Sequence, residues 1–132
     1  MAIDVPARFP PAVRLKVRRE FTAVQEGGRR VSSKYMTLLG QPNNRQQDRL
    51  GIIASRRLGG AVDRNRAKRV LREVFRKQIA LRQAQGETLP ADAAPFRALD
   101  LVVIPRTDLL TAPFGVIETE FASAVRRLRS AR

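Results

Sequence analysis

The segment that most constrains the fold covers residues 61–82, because its apolar residues repeat with the period of an α-helix. At about 100° per residue, one side of this helix carries Ala67, Val70, Leu71 and Val74. A stripe of this kind must pack against another element. The apolar segments at 50–55 and 101–104 are short enough to be strands. Since a long helix separates them, they fit parallel neighbours joined by a crossover.

The N-terminal half contributes a short helix and a strand region. Residues 18–26 show helical spacing and are followed by Gly27 and Gly28, so we predict a helix that ends at glycine. Residues 31–39 are rich in β-branched and apolar side chains and precede a polar loop. We therefore expect this segment and residues 50–55 to form two antiparallel strands.

The C-terminal half completes a single α+β domain. Residues 101–104 show no alternation, which suits a strand covered on both faces of a sheet. Residues 114–129 repeat apolar side chains at helical spacing and have a basic end. Prolines make residues 1–13 a predicted flexible arm, and residues 83–98 fit a surface loop insertion. The order of elements indicates one small sheet packed by helices.

The charge of the chain points to a polyanionic partner. Among 132 residues there are 26 Lys and Arg against 12 Asp and Glu, a net charge of +14. This excess is far above what solubility needs, and repulsion within it opposes folding. Cations that neutralise phosphates release counterions and gain affinity without base contacts. Nucleic acid is therefore the leading candidate, and an anionic membrane surface is the weaker one.

The residue types present exclude several kinds of active site. The chain has no Cys and no His, which excludes disulfides, Cys/His metal sites, Cys nucleophiles and Ser-His-Asp arrangements. Its start lacks the apolar core of a signal peptide, and no apolar run approaches the roughly 20 residues that span a bilayer. We therefore expect a cytoplasmic protein.

The positive charge is concentrated on the long helix and on the turn before it. Residues 45–77 hold 11 Lys and Arg against 3 Asp and Glu, so a quarter of the chain carries 8 of the 14 net charges. Across from the apolar stripe, the helix presents a polar arc. We call the following nine residues the basic face: Arg56, Arg57, Arg64, Asn65, Arg66, Lys68, Arg69, Arg72 and Arg76.

A charge-rich helix often has only a solvated face, and two features argue against that interpretation here. Only Asp63 and Glu73 interrupt the cations in the helix. Arg64, Lys68 and Arg72 therefore repel each other at i,i+4 spacing, by about 0.2–0.5 kcal/mol per pair. Arginine also outnumbers lysine, which favours planar, two-pronged contacts with phosphate. A phosphate ligand explains the basic face better than solubility does.

The residues of the basic face follow one another in a distinctive order. It contains Arg64-Asn65-Arg66, then Lys68-Arg69 and Arg72-Glu73, and it follows Ser55-Arg56-Arg57 after a glycine-containing strand. This order resembles the signature of the bacterial ribonuclease P protein component. The resemblance extends to Arg14-Leu15-Lys16 with Phe21, to the Gly28 turn, to residues 100–106 and to the closing basic helix. It covers residues 12–129.

The resemblance implies both a fold and a function. The fold is a small α+β domain of order αβββαβα, with a mostly antiparallel sheet of about four strands and a left-handed βαβ crossover, against the usual right-handed rule. The function is to bind the ribonuclease P RNA subunit and to assist removal of the 5′ leader from precursor tRNA. Metal-bound water does this chemistry, and the implied Mg²⁺ is held mainly by the RNA. No catalytic residue and no metal ligand are expected in this chain.

By the same resemblance, the basic face contacts RNA, and a cleft between the first helix and the sheet takes the single-stranded leader. Such a cleft combines an electrostatic groove with stacking surfaces, which accept any base sequence. Its candidate residues are Phe21, Tyr35 and Leu39. Phe21 fits a stacking surface or the core equally well, and Tyr35 fits the cleft or the sheet edge. Gln25 stands where the family often has an aromatic residue.

Without the resemblance, the residues are also compatible with other functions. A protein-only nuclease needs converging carboxylates for two metal ions. Its candidates are Asp100, Asp108, Glu118 and Glu120, which fit strand-end, loop and exposed-helix positions more simply. A ribosomal or nucleoid protein would use the same basic face on other nucleic acids. A membrane-surface helix would need aromatic anchors that the narrow apolar stripe lacks.

Overall fold

The helices and strands of the described residues follow the order αβββαβα. The structure is a computed structural model, and it describes residues 14–43, 45, 47–86 and 98–130. The elements are α1 (Arg18–Gly27), β1 (Arg29–Ser32), β2 (Met36–Pro42), β3 (Arg49–Ile52), α2 (Ala61–Gly86), β4 (Leu99–Pro105) and α3 (Phe114–Ser130). Short 3-10 helices at Arg56–Leu58 and Thr107–Thr111 precede α2 and α3. The expected α+β class and element order are confirmed.

The four strands form one mixed sheet in the order β1, β2, β4, β3. β2 pairs with β1 and with β4 in antiparallel registers, whereas β3 and β4 are parallel. The predicted parallel neighbours joined through the long helix are therefore confirmed, and the hand of this crossover stays a prediction. Leu101, Val102 and Val103 of β4 are all 0% exposed, which confirms a strand covered on both faces.

The N-terminal strands pair differently from the two-strand interpretation of residues 31–55. Residues 31–39 contain parts of two strands, because Ser33 makes a turn between them. The Ser33 hydroxyl accepts hydrogen bonds from the N–H groups of Tyr35 and Met36, each at 3.3 Å, and donates one to the Met36 carbonyl at 3.1 Å. Serine side chains stabilise such turns without changing the hydrophobic pattern. β4 also lies between β2 and β3, so these two strands do not pair.

Each face of the sheet carries an apolar cluster. α2 and α3 cover one face, where Phe75 and Phe121 pack edge to face with ring centroids 6.3 Å apart. α1 covers the other face with a smaller cluster formed by Leu15, Val24, Leu39 and Val102. The predicted stripe of α2 is buried in the larger cluster: Ala67, Leu71 and Val74 are 0% exposed, and Val70 is half-buried. Burial of this stripe turns the opposite face of α2 outward.

α2 is longer than the predicted helix and takes in the first residues of the predicted loop at 83–98. The helix continues to Gly86, so residues 83–86 are helical rather than part of a loop. Gln and Ala are good helix formers, and glycine commonly follows the last turn. At the other end of the predicted loop, Ala98 is buried next to β4. Residues 87–97 and the predicted arm at 1–13 lie outside the described residues.

A buried carboxylate joins the loop before β3 to β4 and α3. Asp48 is 3% exposed, and its Oδ1 accepts a hydrogen bond from the Leu99 N–H at 2.7 Å. Its Oδ2 pairs with Nη2 of Arg129 at 2.5 Å. This contact connects three parts of the chain that are far apart in sequence.

Candidate nucleic-acid interface

The basic face of α2 points away from the core. Asn65, Arg66, Arg69 and Arg72 are exposed, and Arg64, Lys68 and Arg76 are half-buried. Arg56 and Arg57 are exposed on the 3-10 helix that directly precedes α2 and contacts it. The structure therefore brings the nine predicted residues together along one helix and the turn before it.

Most cations of the basic face have no carboxylate partner among the residues that the structure describes. Arg76 pairs with Glu73 of the same helix, with Nε 3.2 Å from Oε1. Arg64 donates from Nε to the Gly60 carbonyl at 3.4 Å, and no described carboxylate balances its charge. Within the described parts of the chain, the cations of this face that form no ion pair are Arg56, Arg57, Arg64, Arg66, Lys68, Arg69 and Arg72. Unbalanced arginines on one surface are suited to bind phosphates.

A tight turn fixes the position of Arg56 and Arg57. The Ser55 hydroxyl accepts a hydrogen bond from the Arg57 N–H at 3.3 Å and begins the 3-10 helix. Gly59 ends it with a φ of 146°, a conformation that favours glycine. A Cβ at Gly59 would also lie 2.4 Å from an Asp63 carboxylate oxygen. The glycine therefore lets the chain turn from the 3-10 helix directly into α2.

A groove of about 380 Å³ adjoins the basic face. Its floor is the β3 segment Leu50, Gly51 and Ile52, and Phe21 of α1 lines it from one side. The cations lining it are Arg14 and Lys16, which precede α1, and Lys68 and Arg72 of α2. Because Lys68 and Arg72 also belong to the basic face, the two form one continuous cationic surface.

The structure separates the three residues predicted for the leader cleft. Phe21 is half-buried and lines the groove. Leu39 is 3% exposed and belongs to the apolar cluster under α1, so it is not available to a ligand. Tyr35 packs against the cluster on the opposite face of the sheet. Of the three, only Phe21 lies at the groove.

A glycine makes room for the Phe21 ring. A Cβ on Gly51 would lie 2.4 Å from Cε1 of Phe21, closer than non-bonded atoms can approach. The ring therefore rests directly on the backbone of β3. Phe21 was expected to belong either to the core or to a stacking surface. In the structure it packs against the smaller cluster on one side and lines the groove on the other.

Sequence reasoning did not assign Arg14 and Lys16 to the site. They reach the groove because the segment before α1 lies along the edge of β3, where the Leu15 N–H donates to the Leu50 carbonyl at 3.0 Å. One signal was present in the sequence. Arg18 and Arg19 follow in the first turn of α1, where the helix dipole disfavours cations. Such a concentration of charge at this helix end is better explained by an anionic ligand than by helix stability.

Next to the groove but outside its lining, Arg49 of β3 lies between two carboxylates, one on α1 and one on β4. Its Nη2 is 2.8 Å from Oδ2 of Asp100 on β4, and its Nη1 is 3.1 Å from Oε2 of Glu20 on α1. The hydrogen bond to Asp100 is the largest cause that raises the pKa of Arg49. The pKa of Glu20 is lowered, mainly by the hydrogen bond from the Lys16 N–H and further by Val17 and Arg49. Glu20 and Arg49 are therefore both charged at neutral pH.

The carboxylates proposed for a protein-only nuclease do not converge. Asp100 is engaged by Arg49, and Glu118 pairs with Lys77 at 3.4 Å. No group of three or more acidic side chains that could hold a metal ion is found among the residues that the structure describes. In the same residues, no helix is both long and apolar enough to cross a membrane.

Fold and site together define a small α+β protein with an exposed cationic surface of the kind that binds nucleic acid. Residues 9–129 match the family model of Ribonuclease P. The ribonuclease P protein component of Citrifermentans bemidjiense is 32% identical over 123 residues, which cover 93% of this chain and 94% of that protein. The one from Methylococcus capsulatus is 42% identical over 110 residues, covering 83% of this chain and 75% of that protein.

Solved structures agree with this assignment. The RNase P protein from Thermotoga maritima matches with a TM-score of 0.65 and 28% identity, over 90% of this chain and 97% of that chain. The RNase P protein of Staphylococcus aureus has the same fold, with a TM-score of 0.64 and 24% identity over 86% of this chain and 93% of that chain. The chain belongs to the family of bacterial ribonuclease P protein components, the protein part of the endoribonuclease that matures the 5′ end of tRNA.

Proposed function

We propose that the basic face binds the ribonuclease P RNA subunit and that the adjoining groove binds the 5′ leader of precursor tRNA. The observation that carries this proposal is the row of cations on α2 and the preceding turn for which the described part of the chain offers no carboxylate partner. Each phosphate neutralised by such a cation releases counterions, so the RNA gains affinity and the cations lose their mutual repulsion. Asn65 adds an amide that can donate and accept hydrogen bonds on the same surface.

The groove suits a single strand rather than a duplex. Arg14, Lys16, Lys68 and Arg72 surround a space of about 380 Å³ with Phe21 beside it. A phosphate backbone is attracted by these cations, and one base can stack on the exposed side of the Phe21 ring. Stacking accepts any base, so this groove fits leaders of different sequence.

The catalytic Mg²⁺ ions belong, in this proposal, to the RNA partner. The two buried carboxylates of the described residues already have partners, because Asp48 is bonded to Arg129 and Asp100 to Arg49. These acids do not fit the cluster of free oxygen ligands that Mg²⁺ needs. The contribution of the chain is to hold the two RNA molecules side by side, so its role in cleavage is binding and orientation.

The Gly51→Ala variant tests the groove separately from the basic face. Its new methyl group would displace the Phe21 ring, and we expect the holoenzyme to lose roughly 5- to 150-fold in affinity for precursor tRNA, since base stacking on an aromatic residue is worth ~1–3 kcal/mol. The measurement compares binding of a precursor with a long leader and one with a single-nucleotide leader. Only the long-leader substrate should bind more weakly.

Gly115→Ala is the matched control for this variant. A Cβ at Gly115 meets no atom within 4 Å, so the same chemical change should leave both affinities as in the wild-type protein. If Gly51→Ala and Gly115→Ala bind the long-leader substrate equally well, Phe21 does not contribute to leader binding.

A further inference from the structure

Glu20, Arg49 and Asp100 form a continuous polar network between α1 and the sheet. Arg49 donates from Nε to Oδ1 of Asp100 at 2.9 Å as well as pairing through both terminal nitrogens. Asn43 donates a further hydrogen bond to the same Oδ1 at 2.9 Å. The side chains of Arg49 and Asp100 are only 11% and 10% exposed, and that of Glu20 is 26% exposed. Removing one partner from an ion pair that is shielded from water is costly, because it leaves an unpaired charge in a poorly solvated place.

Glu20 links this network to the segment that lines the groove. Its Oε1 accepts hydrogen bonds from the backbone N–H groups of Lys16 at 2.8 Å and Val17 at 3.3 Å. Its Oε2 is the atom that pairs with Arg49. One carboxylate therefore holds both the backbone of a groove-lining cation and the first turn of α1.

The network also lies next to the Phe21 contact. Glu20 directly precedes Phe21 on α1, and Arg49 lies two residues before Gly51, on the same face of β3. The Phe21 ring rests on Gly51, so the ion pair between Glu20 and Arg49 forms beside that contact. Glu20, Arg49 and Asp100 themselves do not line the groove. Their contact with the groove is therefore indirect, through Lys16 and Phe21.

We propose that the Glu20–Arg49–Asp100 network is a positioning device that sets the distance between α1 and β3 and thereby the affinity of the groove for the leader. The proposal rests on the leader-binding function of the groove. Asp100 fixes the Arg49 side chain against the sheet, and Arg49 fixes α1 through Glu20. Lys16 and Phe21 then meet a single strand in one arrangement, which reduces what binding must spend on ordering them.

The Glu20→Gln variant isolates the Arg49 contact. Glutamine keeps an oxygen that accepts from Lys16 and Val17, but its NH₂ group faces the donors of Arg49. The matched control is Glu26→Gln on the same helix, which removes the same charge from an exposed residue without an ion pair in the described parts of the chain. Arg49→Lys is a second variant, because lysine keeps the charge and cannot reach both carboxylates in the fork geometry of arginine.

The experiment uses the holoenzyme and measures KM and kcat for precursors with a long leader and with a single-nucleotide leader, together with the affinity of each protein for the RNA subunit. We expect Glu20→Gln and Arg49→Lys to raise KM for the long-leader precursor roughly 3- to 10-fold. The short-leader KM, the kcat and the RNA-subunit affinity should match those of Glu26→Gln.

The other outcomes overturn one proposal or both. If the wild-type holoenzyme does not favour the long leader, the leader groove is wrong and the positioning role falls with it. If the wild-type does favour it and both network variants behave like Glu26→Gln, the groove stands and the positioning role is wrong. If the variants weaken RNA-subunit binding as much as leader binding, the network supports the whole fold rather than the groove.

Discussion

Replacing both Arg64 and Arg66 by alanine is expected to weaken binding of the RNA subunit by roughly 10- to 100-fold at physiological salt. Both side chains belong to the basic face and have no carboxylate partner among the described residues, so each is available to a phosphate. Loss of two phosphate contacts should also flatten the salt dependence, lowering the slope of log K against log salt by about 2. Titration of the labelled RNA subunit at several salt concentrations measures both quantities.

The control for this variant removes the same charge elsewhere. Arg126 and Arg127 are exposed near the end of α3, and replacing both by alanine should change affinity and slope much less. Two results would contradict the assigned RNA-binding face. One is an unchanged slope in the Arg64/Arg66 variant, and the other is an equal loss in both double variants.

Replacing Asp48 by alanine is expected to reduce the free energy of unfolding by about 3 kcal/mol, because breaking a buried ion pair leaves an uncompensated charge. Asp48 is 3% exposed and bonds both Arg129 and the Leu99 N–H. A loss of this size is a large fraction of the 5–15 kcal/mol that typically stabilises a domain. Chemical denaturation of the free protein measures the change.

Two further variants separate the contributions of the Asp48 carboxylate. Asp48→Asn keeps an oxygen that accepts from Leu99 and loses the charge that pairs with Arg129, so its loss should be smaller than that of Asp48→Ala. Asp108→Ala removes an exposed acid and should change stability by less than about 0.5 kcal/mol. Stability of Asp48→Ala within 1 kcal/mol of the wild-type protein would be inconsistent with a structural role for this pair.

The parts of the fold that could be predicted from sequence are those set by local periodicity. The stripe Ala67, Leu71 and Val74 identified α2 and its buried side because a helix repeats every 3.6 residues whatever it packs against. β4 was recognised by its short unbroken apolar run, which suits a strand covered on both faces. The strand boundary at Ser33 and the last turn of α2 were missed, since one depends on a side-chain hydrogen bond and the other on helix propensity without an apolar pattern.

For the candidate site as well, the part set by local sequence could be predicted and the part set by tertiary contacts could not. The basic face could be predicted because its cations share one helix and the turn before it. A cleft beside α1 was expected from the resemblance alone. Its lining cations could not be predicted, because the groove forms where Arg14 and Lys16 meet β3 and α2, elements far apart in sequence. Leu39 and Tyr35 were assigned to the cleft by resemblance, but the pleat of β2 places Leu39 under α1, and the turn at Ser33 places Tyr35 with the other cluster. Only the sheet register distinguishes these positions.

Reconstitution with the ribonuclease P RNA of the same organism tests the central claim most directly. Cleavage of precursor tRNA is measured at low Mg²⁺ with the RNA alone, the full protein chain alone, and both together. We predict 5′ leader removal only when both are present, because in the proposed function the chain binds and orients the RNA molecules while the RNA supplies the chemistry. Cleavage by the protein alone, or no gain when it joins the RNA, would contradict this account.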